Sequence, residues 1–158
     1  MKSLSDIMES TKKETLYVSR DMLNGDDFVK WAKSQGFKNI LDPDDLHVTI
    51  AFSRTDVLWS KITPLDTNII IADDKSKRKV SKLGDEGAVV LMFNSYALKD
   101  RWTYYREKGC SWDYDDYHSH ISITYKDSDI DLSKVTPYAD KIELGPEIMK
   151  KLDLNLEG

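Results

Sequence analysis

Two short stretches of the chain repeat the same order of residue types. His47-Val48-Thr49-Ile50 and His120-Ile121-Ser122-Ile123 each place a histidine two residues before a hydroxyl side chain. On a β-strand, side chains two positions apart project to the same face, so each histidine shares a face with its hydroxyl. In a common cleft, one imidazole can accept a proton from a nucleophile while the other protonates a leaving oxygen, and the hydroxyls can bind an anionic oxygen. These groups suit the cleavage of a phosphodiester bond.

Each motif follows a predicted helix that ends at a glycine. Gly36 lies eleven residues before His47, and Gly109 lies eleven residues before His120. A single histidine two residues before a threonine is common on strands, but its repetition in a matched context favours catalysis. The two units predict a degenerate internal repeat. We therefore expect a pseudo-twofold fold in which the two motif strands lie side by side or face each other across a cleft.

The rest of the sequence predicts an alternation of helices and strands without a long linker. We expect helices over residues 26–35 and 97–108, and strands over residues 16–19, 46–52, 68–72, 88–93, 120–125 and 141–147. Ser95 is the expected N-cap of the second helix, and a turn at Gly145-Pro146 is expected to close the last strand. The basic residues 75–79 are expected to form a solvated loop or an edge strand. This pattern predicts a single α+β domain over residues 1–158.

The composition limits which partners the protein is expected to bind and in which cell compartment it is expected to work. The 158 residues carry 23 Lys and Arg against 28 Asp and Glu, a formal net charge of -5. This balance disfavours wrapping of long nucleic acid, although a local pocket for a small anion stays open. Residues 1–14 lack the apolar core of a signal peptide, and no stretch approaches the roughly 20 apolar residues of a membrane span. The chain has one cysteine, Cys110, which excludes an internal disulfide. We expect a cytoplasmic protein with no membrane contact and no obligatory protein partner.

A metal site is an alternative use of the second motif. His118 and His120 form an i, i+2 pair, and Asp113, Asp115 and Asp116 lie nearby in the sequence as carboxylate candidates. This interpretation is weaker, because His118 has no counterpart in the first motif. The sequence therefore predicts neither a metal nor another cofactor, and His118 is expected in a turn or at the rim of a pocket.

The two motifs resemble the paired His-x-Thr/Ser-x signature of the 2H phosphoesterases, relatives of the RNA 2′,3′-cyclic phosphodiesterases and 2′,5′ RNA ligases. Within that superfamily the chain resembles the phage anti-CBASS nucleases, which destroy the cyclic di- and trinucleotide signals of bacterial antiphage defence. Residues 46–49, 111–120 and 144–147 carry this resemblance. It implies a LigT-like bilobal fold, with pseudo-twofold antiparallel sheets around a central cleft and helices outside.

The resemblance also implies an activity and its catalytic residues. The expected enzyme is a metal-independent hydrolase that opens 3′,5′ phosphodiester bonds in a cyclic oligonucleotide substrate. Of His47 and His120, one would activate the ribose 2′-hydroxyl and the other would protonate the leaving 5′ oxygen. Thr49 and Ser122 would hold the non-bridging oxygens, with Ser122 in place of the commoner threonine. The sequence does not say which histidine is the base.

Four more residues are implied as substrate contacts. Tyr17 matches an aromatic residue that stacks on a base, Trp112 and Tyr117 flank the second motif, and Glu147 matches an acid that binds an adenine edge. Each has an ordinary alternative, namely a half-buried strand tyrosine, two core aromatics or a surface glutamate. The family places an aromatic before its central strand, where this chain has Arg78, Lys79 and Val80, so the resemblance does not predict the preferred nucleotide.

Two other functions are open at this point. The first is an RNA 2′,3′-cyclic phosphodiesterase or a 2′,5′ ligase-like RNA-processing enzyme, which the acidic net charge disfavours because such an enzyme needs a basic groove. The second is a non-catalytic sponge that binds and sequesters a nucleotide. The intact histidines and hydroxyls disfavour a sponge, since a pure binder has no use for two acid–base groups.

Overall fold

A computed structural model describes residues 13–84, 87–127 and 129–152 of the chain. In these ranges, helix α1 spans Gly25–Ser34 and helix α2 spans Tyr96–Glu107. The strands are β1 (Lys13–Met22), β2 (His47–Leu58), β3 (Ile69–Ile71), β4 (Lys79–Leu83), β5 (Ala88–Met92), β6 (His120–Thr124) and β7 (Ile142–Lys150). No helix within the described ranges is long and apolar enough to cross a membrane. Most of the N-terminal segment considered as a signal peptide, residues 1–12, and residues 153–158 of the predicted domain lie outside the described ranges.

The strands form two antiparallel sheets, ordered β2-β1-β7-β3 and β4-β5-β6. Each motif strand, β2 or β6, is therefore an edge strand of its sheet, and the two edges contact each other. After α1, the N–H of Leu41 donates to the carbonyl of Ile123 on β6 at 3.0 Å. After α2, the N–H of Ser111 donates to Oγ of Ser53 on β2 at 3.0 Å. The chain after each helix thus ties onto the motif strand of the other half, and the predicted α+β fold is confirmed.

The internal repeat extends to the irregularities of the two motif strands. In β2 the ladder to β1 shifts at Ile50, directly after Thr49. In β6 the ladder to β5 shifts at Ile123, directly after Ser122. Both isoleucines are fully buried. Such β-bulges bend a strand and re-aim its side chains, so each motif keeps its histidine and hydroxyl on the ladder segment before the bend.

Both predicted helices are present, and each ends at its predicted glycine. Oγ of Ser95 accepts the N–H of Leu98 at 3.2 Å, which confirms the N-cap of α2. Gly36 and Gly109 have φ angles of 94° and 99°, where a Cβ would be strained. Helix α2 packs on the first sheet, where Tyr105 is fully buried. A helix from the second half therefore covers the sheet of the first half.

The predicted turn at Gly145-Pro146 is wrong, because β7 continues through it to Lys150. Proline lacks an N–H and is tolerated in a sheet only at an edge or at a bulge. Here the ladder between β1 and β7 shifts where Asp21 faces the Gly145-Pro146 pair, so the missing donor falls at an irregularity. The first strand is also longer than predicted, while β3 is shorter.

The basic stretch divides into two structural roles. Lys79 begins β4, an edge strand, as one of the two predicted alternatives requires. Arg78 is instead buried, and its guanidinium lies 2.6 Å from a carboxylate oxygen of Asp73 while it donates to the carbonyls of Tyr138 and Asp140. The expectation of a solvated loop is therefore wrong for Arg78, which ties the chain before β4 to the chain before β7.

Candidate active site

The structure holds the two motif histidines in the same way. Nδ1 of His47 lies 2.8 Å from the carbonyl oxygen of Asp45, and Nδ1 of His120 lies 3.0 Å from the carbonyl oxygen of His118. A carbonyl oxygen can only accept, so in the neutral ring Nδ1 carries the proton and Nε2 carries the lone pair. Each imidazole therefore has one nitrogen fixed by the backbone two residues earlier and the other nitrogen left for a substrate.

The hydroxyl of each motif shares a strand face with its histidine, as the alternation predicts. Thr49 and Ser122 are half-buried, whereas the intervening Val48 and Ile121 are fully buried. The apolar members of each motif thus pack in the core, and the polar members lie on the opposite face. Because β2 and β6 contact each other, these polar side chains belong to two neighbouring edges.

Tyr17 lies next to the first motif on strand β1. Its hydroxyl is 3.0 Å from Oγ1 of Thr49, and its ring packs edge-on against Phe52 with centroids 6.0 Å apart. Burial raises the pKa of Tyr17 despite the hydrogen bond to Thr49, so the phenol keeps its proton at neutral pH. Tyr17 is the half-buried strand tyrosine of one alternative, and its stacking on a base stays a prediction.

A cavity of about 330 Å³ opens beside His47 on this face of the sheet. Tyr17, Ser19 and Asp21 line it from alternate positions of β1. Asp21 pairs directly with His47 in the ladder, and Ser19 pairs directly with Thr49. Neither Ser19 nor Asp21 was predicted as a site residue. Ser19 already shares a face with Tyr17 in the predicted strand, whereas Asp21 does so only in the longer strand that the structure shows.

The remaining wall of this cavity carries mixed charge. Asp44 and Asp45 come from the turn before β2, Tyr125 follows β6, and Lys150 ends β7. Lys150 pairs with Tyr17 across the strands. The cavity therefore joins residues of both halves, with three carboxylates, counting Asp21, and one ammonium group.

The two predicted aromatic residues form a cluster that supports the second motif. Tyr117 is buried and stacks on Trp102 at 5.9 Å, and Trp112 packs edge-on against the same indole at 6.2 Å. The hydroxyl of Tyr117 donates to the backbone carbonyl of Thr49 at 2.7 Å, and burial raises the pKa of this phenol. Tyr117 therefore joins the turn before β6 to the first motif strand, and contact of either aromatic with substrate stays a prediction.

Glu147 lies on the other face of the first sheet. It pairs with Arg20, next to Asp21 along β1, and is buried beneath α2. Arg101 donates to both of its carboxylate oxygens at 2.8 and 2.9 Å, and the hydroxyl of Tyr105 donates at 2.6 Å. The alternative of a surface glutamate is wrong. The structure also does not bring Glu147 together with the histidines, and its contact with a base stays a prediction.

The metal alternative depends on carboxylates near His118 and His120. The guanidinium of Arg54 lies 3.1 Å from a carboxylate oxygen of Asp113, so this candidate metal ligand already forms a salt bridge with an arginine. Within residues 13–84, 87–127 and 129–152, no group of three or more His, Cys, Asp or Glu side chains could hold a metal ion. The His118 and His120 pair therefore has no third ligand of these types in the described part of the chain.

Comparison with known proteins gives the family. The family model described as "Anti-CBASS protein Acb1" matches residues 14–158. Proteins of that name from Caulobacter sp. (strain RHG1) and Sphingomonas paeninsulae are 46% and 42% identical over 90% and 96% of this chain. The chain spans only about a quarter of those two relatives, 23% and 25% of their length. A relative of the same name from Vibrio phage KVP40 is 27% identical, with 87% of this chain and 85% of the relative covered.

Solved structures confirm the fold. A structure described as a phosphoesterase superposes with a TM-score of 0.60 at 16% identity and covers 87% of each chain. Escherichia coli LigT complexed with 3′-AMP superposes with a TM-score of 0.60 at 13% identity, over 88% of this chain and 87% of LigT. The two-sheet architecture is thus that of the LigT-like phosphoesterases. Since the family model covers nearly the whole chain, including both histidine motifs, this chain belongs to the Anti-CBASS protein Acb1 family.

Proposed function

We propose that this protein is a phosphodiesterase that hydrolyses the 3′,5′ bonds of cyclic di- and trinucleotide messengers and so counters CBASS antiphage immunity. The observation that carries the proposal is the doubled histidine, with Nδ1 of His47 and of His120 each held by a backbone carbonyl. Such a pair can supply an acid and a base at once. Membership in an anti-CBASS family supports a cyclic nucleotide as the substrate.

The proposed reaction needs only acid–base and hydrogen-bonding groups, and no metal. Nε2 of one histidine takes the proton of the ribose 2′-hydroxyl, whose oxygen then attacks the neighbouring phosphorus. The second histidine, protonated, gives its proton to O5′ as the P–O5′ bond breaks. This step leaves a 2′,3′-cyclic phosphate and a free 5′-hydroxyl. Where water then opens the cyclic phosphate, the two histidines exchange roles.

The motif hydroxyls are placed for the charge that grows on phosphate. Thr49 and Ser122 lie on the same strand faces as the histidines, so they can donate to the non-bridging oxygens. The phenol of Tyr17 is 3.0 Å from Oγ1 of Thr49. If Tyr17 donates to that oxygen, the proton of Thr49 points to the phosphate. In our proposal Tyr17 is the donor of this bond, and it thereby orients a transition-state donor as well as offering a ring to a base.

The size of the cavity and the net charge of the protein fit a small cyclic anion as the substrate. The cavity of about 330 Å³ beside His47 can hold part of a nucleoside, and Tyr17 and Trp112 offer rings on which bases stack. The net charge of -5 disfavours a long polyanion, so we propose no long nucleic acid as partner. We propose the cytoplasm as the site of action, which is the cytoplasm of the host cell if the protein is phage-encoded.

Incubation with nucleotides in EDTA tests the proposal. The purified protein is expected to convert a 3′,3′ cyclic dinucleotide and a cyclic trinucleotide to linear products, followed by mass spectrometry. His120→Ala should lower the rate by about 10²- to 10⁴-fold, the usual contribution of an acid–base group. His118→Ala is the matched control, because the hydrogen bond from His118 to His120 uses the backbone carbonyl, which alanine keeps. Loss of activity in EDTA would contradict the metal-free scheme.

The alternatives give different outcomes in the same assay. An RNA end-processing enzyme would open linear 2′,3′-cyclic phosphate ends and leave the cyclic dinucleotide intact. A sponge would bind the cyclic dinucleotide in the wild type and in His120→Ala with no change in its mass. Either result would replace the proposed function, and the LigT-like fold would stand in both cases.

A further inference from the structure

A second cavity, of about 470 Å³, lies outside the candidate active site. Helix α1 lines one side of it through Asp26, Val29, Lys30 and Lys33, which follow the i, i+3, i+4, i+7 spacing of one helix face. The chain after the helix, from residue 37 to residue 43, lines the other side. Cavities that bind small molecules have volumes of about 300 to 1,000 Å³, so this one has the size of a ligand site.

Contacts with the second half of the fold hold the chain after α1 in place. The N–H groups of Lys38 and Asn39 donate to one carboxylate oxygen of Asp127 at 2.8 and 2.9 Å. Ile40 forms a β-bridge with Thr124, the last residue of β6. This side of the second cavity is therefore anchored to the strand that carries the second histidine motif.

The far end of the same segment packs against the start of α1. Gly25 is the first residue of the helix, and a Cβ at this position would lie 2.8 Å from the carbonyl oxygen of Pro43. Only glycine allows two backbones to approach so closely. Because both ends of the segment are anchored, the second cavity is preformed, and a preformed site spends little free energy on ordering itself when a ligand binds.

Apolar side chains form the floor of the second cavity. Phe37 is buried, and Val29, Ile40 and Leu41 are half-buried against the hydrophobic core. Ligand sites in proteins are lined mostly by such side chains, with a few polar groups that fix the orientation of the ligand. The floor therefore suits the flat, weakly polar ring of a heterocycle.

Three exposed lysines supply positive charge to the same cavity. Neither Lys30 nor Lys33 forms a salt bridge within residues 13–84, 87–127 and 129–152. Lys38 lies near Asp127, whose carboxylate already accepts three hydrogen bonds. An ammonium group is a compact charge with three donors and is a common ligand of phosphate. The lysines thus suit a phosphate group.

Two carboxylates, those of Asp26 and Asp42, also line the second cavity. An ionised carboxylate only accepts hydrogen bonds, so it favours a ligand that carries donors as well as an anionic group. The hydroxyls of a ribose and the amino group of a base are such donors. A fatty acid could use the lysines and the apolar floor, but it has no donor for the carboxylates.

We infer that the second cavity is a binding site for a nucleoside monophosphate, with the base on the apolar floor, the phosphate on the lysines and the donors of the nucleoside on the carboxylates. Leu41 lines both this cavity and the one beside His47. Residues 42–43 line the second cavity, whereas residues 44–45 line the other. The two cavities are therefore neighbours along one short segment. The inference goes beyond the proposed function and does not depend on it, because it concerns binding and not catalysis.

Titration of the full chain with 5′-AMP, followed by NMR of the backbone amides, tests the inference. AMP should shift the amide signals of residues 29–42 in a saturable manner. Adenosine lacks the phosphate and ribose 5-phosphate lacks the base, so each should bind to these residues at least about tenfold more weakly. Shifts confined to residues 17–21 and His47 would place AMP in the candidate active site alone and would overturn the inference.

Reversal of charge tests the role of the lysines. The double variant Lys30→Glu, Lys33→Glu should weaken AMP binding at residues 29–42 by at least about tenfold. The matched control, Lys61→Glu with Lys134→Glu, makes the same change of charge at two exposed positions outside the cavity and should stay within about twofold of wild type. Equal weakening in both double variants would show a general attraction of anions and not a site.

Two further comparisons separate the possible outcomes. If dodecanoate, a fatty acid anion, binds to residues 29–42 more tightly than AMP, the nucleotide is the wrong class of ligand and the inference fails. If AMP binds there but cyclic dinucleotides stay intact, the proposed function fails and this inference stands. If cyclic dinucleotides are cleaved and AMP leaves residues 29–42 unshifted, only this inference is wrong.

Discussion

At the scale of single residues, the two motifs match in sequence but differ in the residues that pair with their histidines across the strands. Both histidines share the anchoring of Nδ1 by the carbonyl two residues earlier. They differ in their cross-strand partners, which are Asp21 for His47 and Met92 for His120. The two motifs therefore match along the strand and differ in the charge of the side chain that pairs with each histidine.

Removing the hydroxyl of Tyr17 tests how Thr49 is oriented. Tyr17→Phe keeps the ring and so should leave KM within about twofold, whereas the lost hydrogen bond to Oγ1 of Thr49 should lower kcat by about 5- to 50-fold. Steady-state kinetics on a cyclic dinucleotide measure both constants. Tyr96→Phe, at a position that is 91% exposed, is the control and should change neither. An unchanged kcat in Tyr17→Phe would show that Thr49 needs no orienting partner.

At the scale of elements, the two motif strands are joined by groups from the turn that precedes β6. The hydroxyl of Tyr117 bonds to the carbonyl of Thr49, and Oγ of Ser111 accepts the backbone N–H groups of Arg54 and Thr55. These bonds fix one edge strand relative to the other. The width of the cleft is therefore set by the turn as well as by the sheets.

Loss of the Tyr117 hydroxyl should weaken this connection. Tyr117→Phe leaves a buried phenyl ring in place but deprives the Thr49 carbonyl of its donor, which costs about 1 to 3 kcal/mol. Urea unfolding should show the lower free energy of unfolding, and kcat should fall while the helical circular dichroism signal is kept. Tyr114→Phe in the same turn, 72% exposed, should be neutral. Wild-type stability in Tyr117→Phe would mean that the bond does not hold the two edges together.

At the scale of the whole molecule, a buried ionic network joins α2 to the first sheet. Glu147 is enclosed by Arg20, Arg101 and Tyr105, and it also accepts the N–H of Leu65 at 3.0 Å. Four segments distant in sequence thus meet at one carboxylate. Removing one partner of a buried charge network leaves the others uncompensated, so this network is a condition for the packing of α2.

Glu147→Gln tests the network. The neutral amide leaves the buried guanidinium of Arg20 and the half-buried guanidinium of Arg101 without their counterion, so the free energy of unfolding should fall by about 3 to 5 kcal/mol. Urea denaturation at pH 7 measures the change. Glu143→Gln on the same strand is the control, because its partner Lys141 is exposed and such a pair contributes little. A loss below about 1 kcal/mol in Glu147→Gln would contradict a stabilising role.

The same carboxylate predicts a pH dependence of stability. Burial by itself raises the pKa of Glu147, but hydrogen bonds from Arg101 and Tyr105 outweigh it and hold the pKa below its usual value. A lowered folded-state pKa contributes stability that is present above the unfolded value of about 4.3 and is lost as pH falls through the folded pKa. The stability difference between wild type and Glu147→Gln should therefore shrink below about pH 4. A difference that stays constant in urea titrations down to pH 3 would contradict this origin.

The sequence by itself determined the features that depend on residues close together in the chain. The helices, their glycine ends, the Ser95 cap and the alternation within both motifs follow from local periodicity and backbone preference. The repetition of the motif predicted the pseudo-twofold fold, and the family resemblance predicted its LigT-like form. Both are confirmed.

Only the tertiary structure decided what depends on the register of strands far apart in the chain. The pairing of Asp21 with His47 and the burial of Glu147 beneath α2 bring together residues whose separation carries no local signal. The same is true of Pro146, which the sequence marked as a turn and the bulged ladder to β1 keeps inside β7. Local patterns determine the face on which a side chain lies. Its neighbours across the sheet, and therefore its charge environment, depend on how the whole chain packs.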